Sequence, residues 1–343
     1  MPSGVFEVVK TVKESMGERK VKTSAVEALA SHGWLLDAGP PRVDRLVCDG
    51  VEVDCVRDDL LHPWAGGNKL RKLDALLPRV LSRSRSRVIV TCGGAQSAHS
   101  AAVAVLCAER GAACHVLSRG EPRDVLVGYA LMTRTFAASV RHVTRDEYAE
   151  REELMASWAE ELGAQVIPEG GARVEAVHGL VRLVDGLRQV WGDAPRTLVV
   201  DSGTGTTAAG MAIACAWLGL EWEVEGVMLL DPARGGFEET SRKLLTEWEA
   251  LHGVLGTRPP LRWVPRPTRR RFGDARQGDV RECLRIARQT GVVFDPIYTL
   301  EAWRHVVAMA PGRRERAAIV HTGGALHLAG AAQRWPRWFA QGR

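Results

Sequence analysis

The chain has 343 residues, 45% of them apolar and 25% charged, with a net charge of +5. That length calls for two domains or one large α/β unit. The ordinary globular balance, without a long apolar run or a low-complexity block, argues against disorder and against membrane spanning. The positive excess lies in arginines scattered among acids, so nucleic acid is not demanded by it. The main cluster, Arg266, Arg269, Arg270 and Arg271 beside Pro265 and Pro267, reads as a solvated loop, with a basic rim for an anionic substrate as the second reading.

The first forty or so residues read as a helical and loop lead-in. They lack an apolar core long enough for a secretory signal, which makes the reducing cytoplasm the expected compartment. The seven cysteines (Cys48, Cys55, Cys92, Cys107, Cys114, Cys215 and Cys283) form no CxxC pair and no zinc-like pattern, and are expected to be free buried thiols. Next comes RDDLLHPWAGGNKLRKL, residues 57–73, which sets Lys69 and Lys72 on a glycine-led turn entering a helix.

From there short β-branched runs alternate with helical stretches. Strands are predicted at 87–92, 112–118, 139–144, 164–169, 197–202, 225–230 and 317–323. Helices are predicted at 96–110, 146–163, 175–191, 206–218, 238–252 and 279–290. Most of the strands read as buried and parallel, so the fold class is α/β, doubly wound.

Four Gly-Gly pairs (Gly66-Gly67, Gly93-Gly94, Gly170-Gly171 and Gly323-Gly324) punctuate this alternation. Glycines beyond the carboxyl ends of strands let backbone approach a ligand, and four pairs favour a cofactor cleft over plain tight turns. The segment 200–211, VDSGTGTTAAGM, places a glycine and hydroxyl loop between a strand and a helix, where free N–H groups and the helix dipole favour phosphate. Gly203, Gly205 and Ala208 also satisfy GxGxxA, with Asp231 ending the next strand, so a dinucleotide remains open on this loop alone. The two lysines favour pyridoxal 5′-phosphate (PLP), which needs a lysine amine, a phosphate anchor and a group facing the pyridine nitrogen.

Taken in order, GGNKLRKL, TCGGAQSAH (91–99), IPEGG (167–171), SGTGTTAAGM, FDPIYT (294–299) and HTGG (321–324) resemble the 1-aminocyclopropane-1-carboxylate deaminase and D-cysteine desulfhydrase family of fold-type II PLP enzymes. The resemblance runs from about Arg57 to Gly330. It implies two doubly wound α/β domains with the cofactor between them: 1–71 with 168–343 as the larger unit (1–45 being the lead-in), and 72–167 as the smaller. It further implies that Lys69 holds PLP as a Schiff base, with Asn68 beside it. Lys72 and the loop Gly203, Thr204, Gly205, Thr206 and Thr207 would bind the phosphate, and Thr299 would face the pyridine nitrogen. Ser97, with Gln96 and Ala98, would receive the substrate carboxylate, and Tyr298 would stack near the ring or relay a proton. A homodimer is implied by the same resemblance.

The expected reaction is removal of the α-proton from a small amino acid and loss of a β-substituent, ending in a 2-oxo acid and ammonia. A hydroxyl at Thr299, where a carboxylate would make a stronger electron sink, tilts the reading to the D-cysteine desulfhydrase side. Three departures point to a divergent substrate or a β-replacement. Ala98 stands where the family has asparagine, and Asp274 in FGDAR aligns with a family tyrosine, an acid there being a candidate base or a partner for a cationic substrate group. Alanine at Ala101 or Ala102 replaces an arginine, with Leu300-Glu301 replacing a Gly-Lys. A weakly active PLP-binding homologue and a nicotinamide-dependent oxidoreductase are the competing readings.

Overall fold

The computed structural model describes residues 25–37, 39–231, 235–266 and 270–340. Most of the lead-in (1–24), Pro267 and Arg269 lie outside the described residues.

The first two strands of the described residues, β1 (Val43–Cys48) and β2 (Val51–Val56), form a hairpin turned by Asp49 and Gly50 at φ 51° and 74°. Positive φ at both central residues is what an Asp-Gly hairpin turn supplies. Further strands are β3 (Val88–Gly94), β4 (Ala113–Arg119), β5 (Ser139–Val143), β6 (Gln165–Val166), β7 (Thr197–Ser202), β8 (Glu223–Met228), β9 (Leu261–Pro265) and β10 (Ala317–Val320). They form a six-stranded sheet in the order β1-β2-β10-β7-β8-β9 and a four-stranded sheet in the order β5-β4-β3-β6. Every pairing is parallel except β1 with β2.

Both sheets are covered on two faces, which is why their central strands read as unbroken apolar runs. One face of the larger sheet packs on the helices Val174–Trp191 and Thr206–Leu218, with Trp222 and Trp248 fully buried. Its other face packs on Gln277–Thr290 and Thr299–Val307 around Phe294 and Trp303. The smaller sheet lies between Gly67–Arg83 with Ala98–Glu109 on one side and Arg151–Leu162 on the other. The doubly wound α/β expectation therefore holds in both sheets.

The Gly67–Arg83 helix runs unbroken through residues 71 and 72 and lies across Val174–Trp191. The crossing is close: a Cβ on Gly179 would sit 1.9 Å from the Arg71 carbonyl oxygen. Pro78 inside the same helix cannot donate to Asp74, and the freed Asp74 carbonyl accepts from Leu35 N–H over 2.9 Å instead. The Asp74 carboxylate accepts from Leu36 N–H over 2.8 Å, so the end of the lead-in is tied to the lysine helix.

Some predicted elements shrink. The run 164–169 forms only the two-residue β6, because Pro168 has no N–H for a ladder. The run 317–323 ends as a strand at Val320, and the run predicted from 225 begins at Glu223. The sequence reading missed β1, β2, β9 and the helices Gly128–Phe136, Thr299–Val307 and Ala325–Arg334.

Candidate active site

The carboxyl ends of β7, β10 and β3 converge on the first turns of the lysine helix: Thr322 bonds Asp201, a Cβ on Gly323 would stand 3.0 Å from Gly67 N, and one on Gly171 would touch both His99 and Lys72. Asn68 opens that helix, and its amide nitrogen donates to Thr207 Oγ1 over 3.1 Å. Lys69, half-buried, donates from Nζ to Asn68 Oδ1 over 3.0 Å. Burial holds the Lys69 amine below the ordinary lysine range, and the carboxylates of Asp201 and Asp295 pull it back upward. Lys72, one turn on, is buried and donates to the Gly170 carbonyl. Burial, then the neighbouring Lys69, depresses it well below the usual value. An anion placed here would restore its charge.

The glycine and threonine loop is built for such an anion. The Thr206–Leu218 helix starts after Gly205, at φ 81°, and no side chain caps its first N–H groups. Thr204 and Thr206 Oγ1 atoms lie 3.2 Å apart beside them. A Cβ on Gly170 would stand 2.9 Å from Thr204 Oγ1, so this loop, Gly170 and Lys72 close on one another. Uncapped N–H groups, threonine hydroxyls and a lysine amine form a donor set that fits a phosphate. Together with the Lys69 amine they fit PLP: the aldehyde carbon would go to Lys69, the phosphate to Lys72 and to residues 203–207.

On the other wall, Ser97 is the N-cap of Ala98–Glu109, its Oγ accepting from Ser100 N–H over 3.2 Å. That bond uses the Ser97 hydroxyl as an acceptor and leaves its proton uncommitted to Ser100. Gly93 makes room for it, since a Cβ there would stand 2.4 Å from the Oγ atoms of Ser97 and Ser100. Tyr298 packs its ring on the phosphate loop, with Cε1 3.8 Å from where a Gly203 Cβ would be. Burial, reinforced by Asp295 and Asp201, pushes its phenol up, so it is a neutral proton donor.

Four residues singled out in the sequence have engagements that the sequence did not show. Gln96 turns its amide toward the 127–129 backbone: Nε2 donates to Val127 O over 2.9 Å, and Oε1 accepts from Tyr129 N–H over 3.1 Å. Thr299 Oγ1 donates to Asp295 Oδ2 over 2.9 Å and accepts from Asp295 N–H over 2.8 Å, bonds that hold the turn before the helix. Asp274 is not drawn into the cleft; its carboxylate is half-exposed, 4.0 Å from Arg334 on the surface. Arg270, read as part of a solvated loop, is buried and bound to Asp279 and Glu301. Glu301 thus belongs to an ion network with Arg270 and Arg304, while Ala101, Ala102 and Leu300 are fully buried.

Sequence reasoning missed several cleft residues. Asp201, at the end of β7, is buried and accepts from Thr322 Oγ1 over 2.6 Å. Burial raises its carboxyl to about 6, with the Thr322 bond pulling the other way. Asp295 is fully buried and saturated by the N–H groups of Ile297, Tyr298 and Thr299 and by the Thr299 hydroxyl. Tyr129 and His327 make a ring contact at 4.6 Å, and His327 stacks on Tyr298 at 4.7 Å. Asp201 and Asp295 sit within the VDSGTG and FDPIYT motifs, where an acid beside a strand end was the available signal.

A two-sheet α/β fold with a lysine amine over an anion cradle defines a fold-type II PLP enzyme. The comparisons with known proteins agree: the family described as "Pyridoxal-phosphate dependent enzyme" matches residues 44–323, and the chain belongs to it. A protein of Oryza sativa subsp. japonica, provisionally named D-cysteine desulfhydrase 2, mitochondrial, is 38% identical over 330 residues, covering 83% of this chain and 80% of that one. The Arabidopsis thaliana protein named bifunctional D-cysteine desulfhydrase/1-aminocyclopropane-1-carboxylate deaminase, mitochondrial, is 26% identical, covering 89% of this chain and 81% of its own. A solved structure titled as an ACC deaminase homologue superimposes with a TM-score of 0.76 at 24% identity, covering 91% of this chain and 98% of that one. PLP is thus the cofactor, and the dinucleotide reading of the Gly203 loop is set aside.

Proposed function

We propose that this protein is a PLP-dependent lyase acting on a small amino acid, with loss of the α-proton and a β-substituent and release of a 2-oxo acid and ammonia. The substrates named for the two plant relatives, D-cysteine and 1-aminocyclopropane-1-carboxylate, are the first candidates. The observation that carries this reading is Lys69: a lysine amine whose pKa is lowered by burial, bonded to Asn68 at the start of its helix and beside the phosphate-fitting donor set.

Bound PLP supplies the electron sink that makes the α-proton acidic. Lys69 accepts that proton, and burial, which lowers the pKa of its amine, favours the uncharged form that a base needs. Asn68 holds Lys69 at the start of the helix and is itself held by Thr207. The Ser97 hydroxyl donates to the substrate carboxylate and so orients the α-proton toward Lys69. The neutral Tyr298 phenol offers a proton to the departing group. Asp274 has no part in this assignment.

The same reading divides the chain into 1–71 with 168–343 and 72–167, and is supported by the strands: β3 to β6 fall inside the second range, the others inside the first. A cytoplasmic homodimer completes it. All seven cysteines are unpaired and buried, which suits a reducing compartment, and no helix among the described residues is long and apolar enough to cross a membrane. The test is absorbance and product release. Purified wild type should show the visible band of a lysine-bound cofactor, lost in Lys69→Ala, and should release pyruvate or another 2-oxo acid with ammonia from a panel of D- and L-amino acids. A PLP-loaded protein that releases neither from any of them would sink the lyase assignment.

A further inference from the structure

The Gln96–Ser97 loop and Tyr298 come from different sheets, yet one side chain touches both. His327 sits in the first turn of Ala325–Arg334, just after the Gly323-Gly324 bend, and is 7% exposed. Its Nε2 lies 3.0 Å from the Gln96 carbonyl oxygen. A carbonyl only accepts, so Nε2 carries the ring proton and Nδ1 is the bare nitrogen. Nδ1 is buried and has no hydrogen-bond partner among the described residues. The ring lies nearly flat on Tyr298, at 4.7 Å and 19° between planes, and edge-on to Tyr129 at 4.6 Å.

The surroundings leave Gln96 little freedom. Its amide is spent on Val127 and Tyr129, and a Cβ on Gly330 would come 2.9 Å from its side-chain carbon Cδ. A Cβ on Gly128 would come 2.4 Å from Leu326 O. Backbone of the Gly128–Phe136 and Ala325–Arg334 helices is therefore pressed around Gln96, and the His327 bond closes that clamp one residue before the Ser97 hydroxyl. On its other side the same imidazole sets the plane of the Tyr298 ring.

We propose that His327 is a positioning residue that fixes the Ser97 hydroxyl through the Gln96 carbonyl and the Tyr298 phenol through the ring stack, so that substrate carboxylate and leaving group are held by one side chain. The proposal rests on the roles of Ser97 and Tyr298 in the lyase reading. It separates two functions of one residue: the N–H serves substrate binding and the ring face serves turnover. A residue that only filled space would not divide its effects in that way.

The experiment compares wild-type holoenzyme with His327→Phe and His327→Gln, all loaded with PLP. Phenylalanine keeps a ring for Tyr298 and has no donor for Gln96; glutamine keeps a donor and has no ring. The readouts are kcat, KM and the amino-acid concentration that half-perturbs the cofactor band, using the panel member that wild type turns over best. His327→Phe should raise that concentration and KM about five- to tenfold, as loss of one buried hydrogen bond does. Its kcat should stay within about twofold, and His327→Gln should show the converse, with near-normal KM and lowered kcat. Wild-type behaviour in both variants overturns the inference, as does an equal loss of kcat and affinity in both that merely tracks a lower melting temperature. A wild type that responds to no amino acid removes the lyase reading and the inference with it; a response shared unchanged by both variants removes the inference alone.

Discussion

Thr299 and Asp295 grip each other in both directions: the Thr299 hydroxyl donates to Asp295 Oδ2 over 2.9 Å, and the Asp295 backbone N–H donates to the Thr299 hydroxyl over 2.8 Å. Asp295 also caps the start of Thr299–Val307, accepting the backbone N–H groups of Ile297, Tyr298 and Thr299. Thr299 therefore holds the turn that presents Tyr298. Thr299→Val removes the donor and leaves the Asp295 N–H without its acceptor, which should cost roughly 1–3 kcal/mol in urea unfolding. Thr299→Ser, which can remake both bonds, should cost less than about 1 kcal/mol. The absorption maximum of bound PLP should stay where it is in both variants; a clear shift in Thr299→Val would return Thr299 to the ring nitrogen.

Gly179 tests how the lysine helix is seated. A Cβ at that position would stand 1.9 Å from the Arg71 carbonyl oxygen and 3.2 Å from Asp74 Cβ, between Lys69 and the Pro78 break. Gly179→Ala should therefore push the two helices apart and destabilise by roughly 1–3 kcal/mol, outweighing the gain in helix propensity of about 1 kcal/mol. Because Lys69 and Lys72 ride on the displaced helix, PLP affinity should fall in the same variant. Equilibrium dialysis of PLP beside a thermal melt checks both; unchanged affinity with lower stability would mean the helix yields elsewhere.

The elements that were legible in the amino-acid order are those where local pattern and burial agree. β7 and the Thr206–Leu218 helix fall on their predicted bounds because a continuous apolar run meets a glycine loop at the junction. The β1–β2 hairpin carries a readable Asp49-Gly50 turn, yet its strands alternate with charged residues and lack the unbroken apolar runs that mark the others. Thr299–Val307 and Ala325–Arg334 begin inside the motifs FDPIYT and HTGG or directly after them, where glycine, proline and hydroxyl residues mask the helical period that follows. In the site, the lysine turn and the phosphate loop could be named because their function needs particular residue types. Gln96 could not be read the same way: a motif shows which polar atoms are present, and only the fold shows that Val127 and Tyr129 engage them. Asp274 failed for a related reason, since alignment to a motif in an irregular loop carries no information about which way a side chain faces.

Asp201 gives a pH dependence with a definite sign. Burial lifts its carboxyl from 3.8 to about 6, so the folded protein holds a proton that the unfolded chain releases. Its ionisation therefore opposes folding: the penalty is absent below pH 3.8, grows as pH rises, and is complete above about pH 6. Asp201→Asn keeps an acceptor for Thr322 and removes the charge. In protein stripped of PLP it should add roughly 3 kcal/mol at pH 8 and close to nothing near pH 3.5, measured as the difference from wild type in urea unfolding free energies at the two pH values. Equal gains at both would show that the charge is not what the substitution relieves.

Lys72 separates the phosphate from the rest of the cofactor. Its amine is buried against Gly170 O beside the uncapped start of Thr206–Leu218, which makes the phosphate the partner proposed for it. Lys72→Met keeps the length of the stem and removes the charge. It should weaken PLP binding roughly tenfold to a hundredfold, the worth of a charged hydrogen bond in a buried site. Pyridoxal, which has the aldehyde for Lys69 and no phosphate, supplies the control. Wild type should bind PLP far more tightly than pyridoxal, and the variant should lose most of that preference while its affinity for pyridoxal is little changed or improved, because burying an unpaired ammonium no longer opposes binding. Titration of both compounds against the visible band measures it. A variant that loses PLP and pyridoxal in equal proportion would mean that Lys72 shapes the Lys69 pocket, and the phosphate would then be held by the backbone N–H groups and the threonine hydroxyls alone.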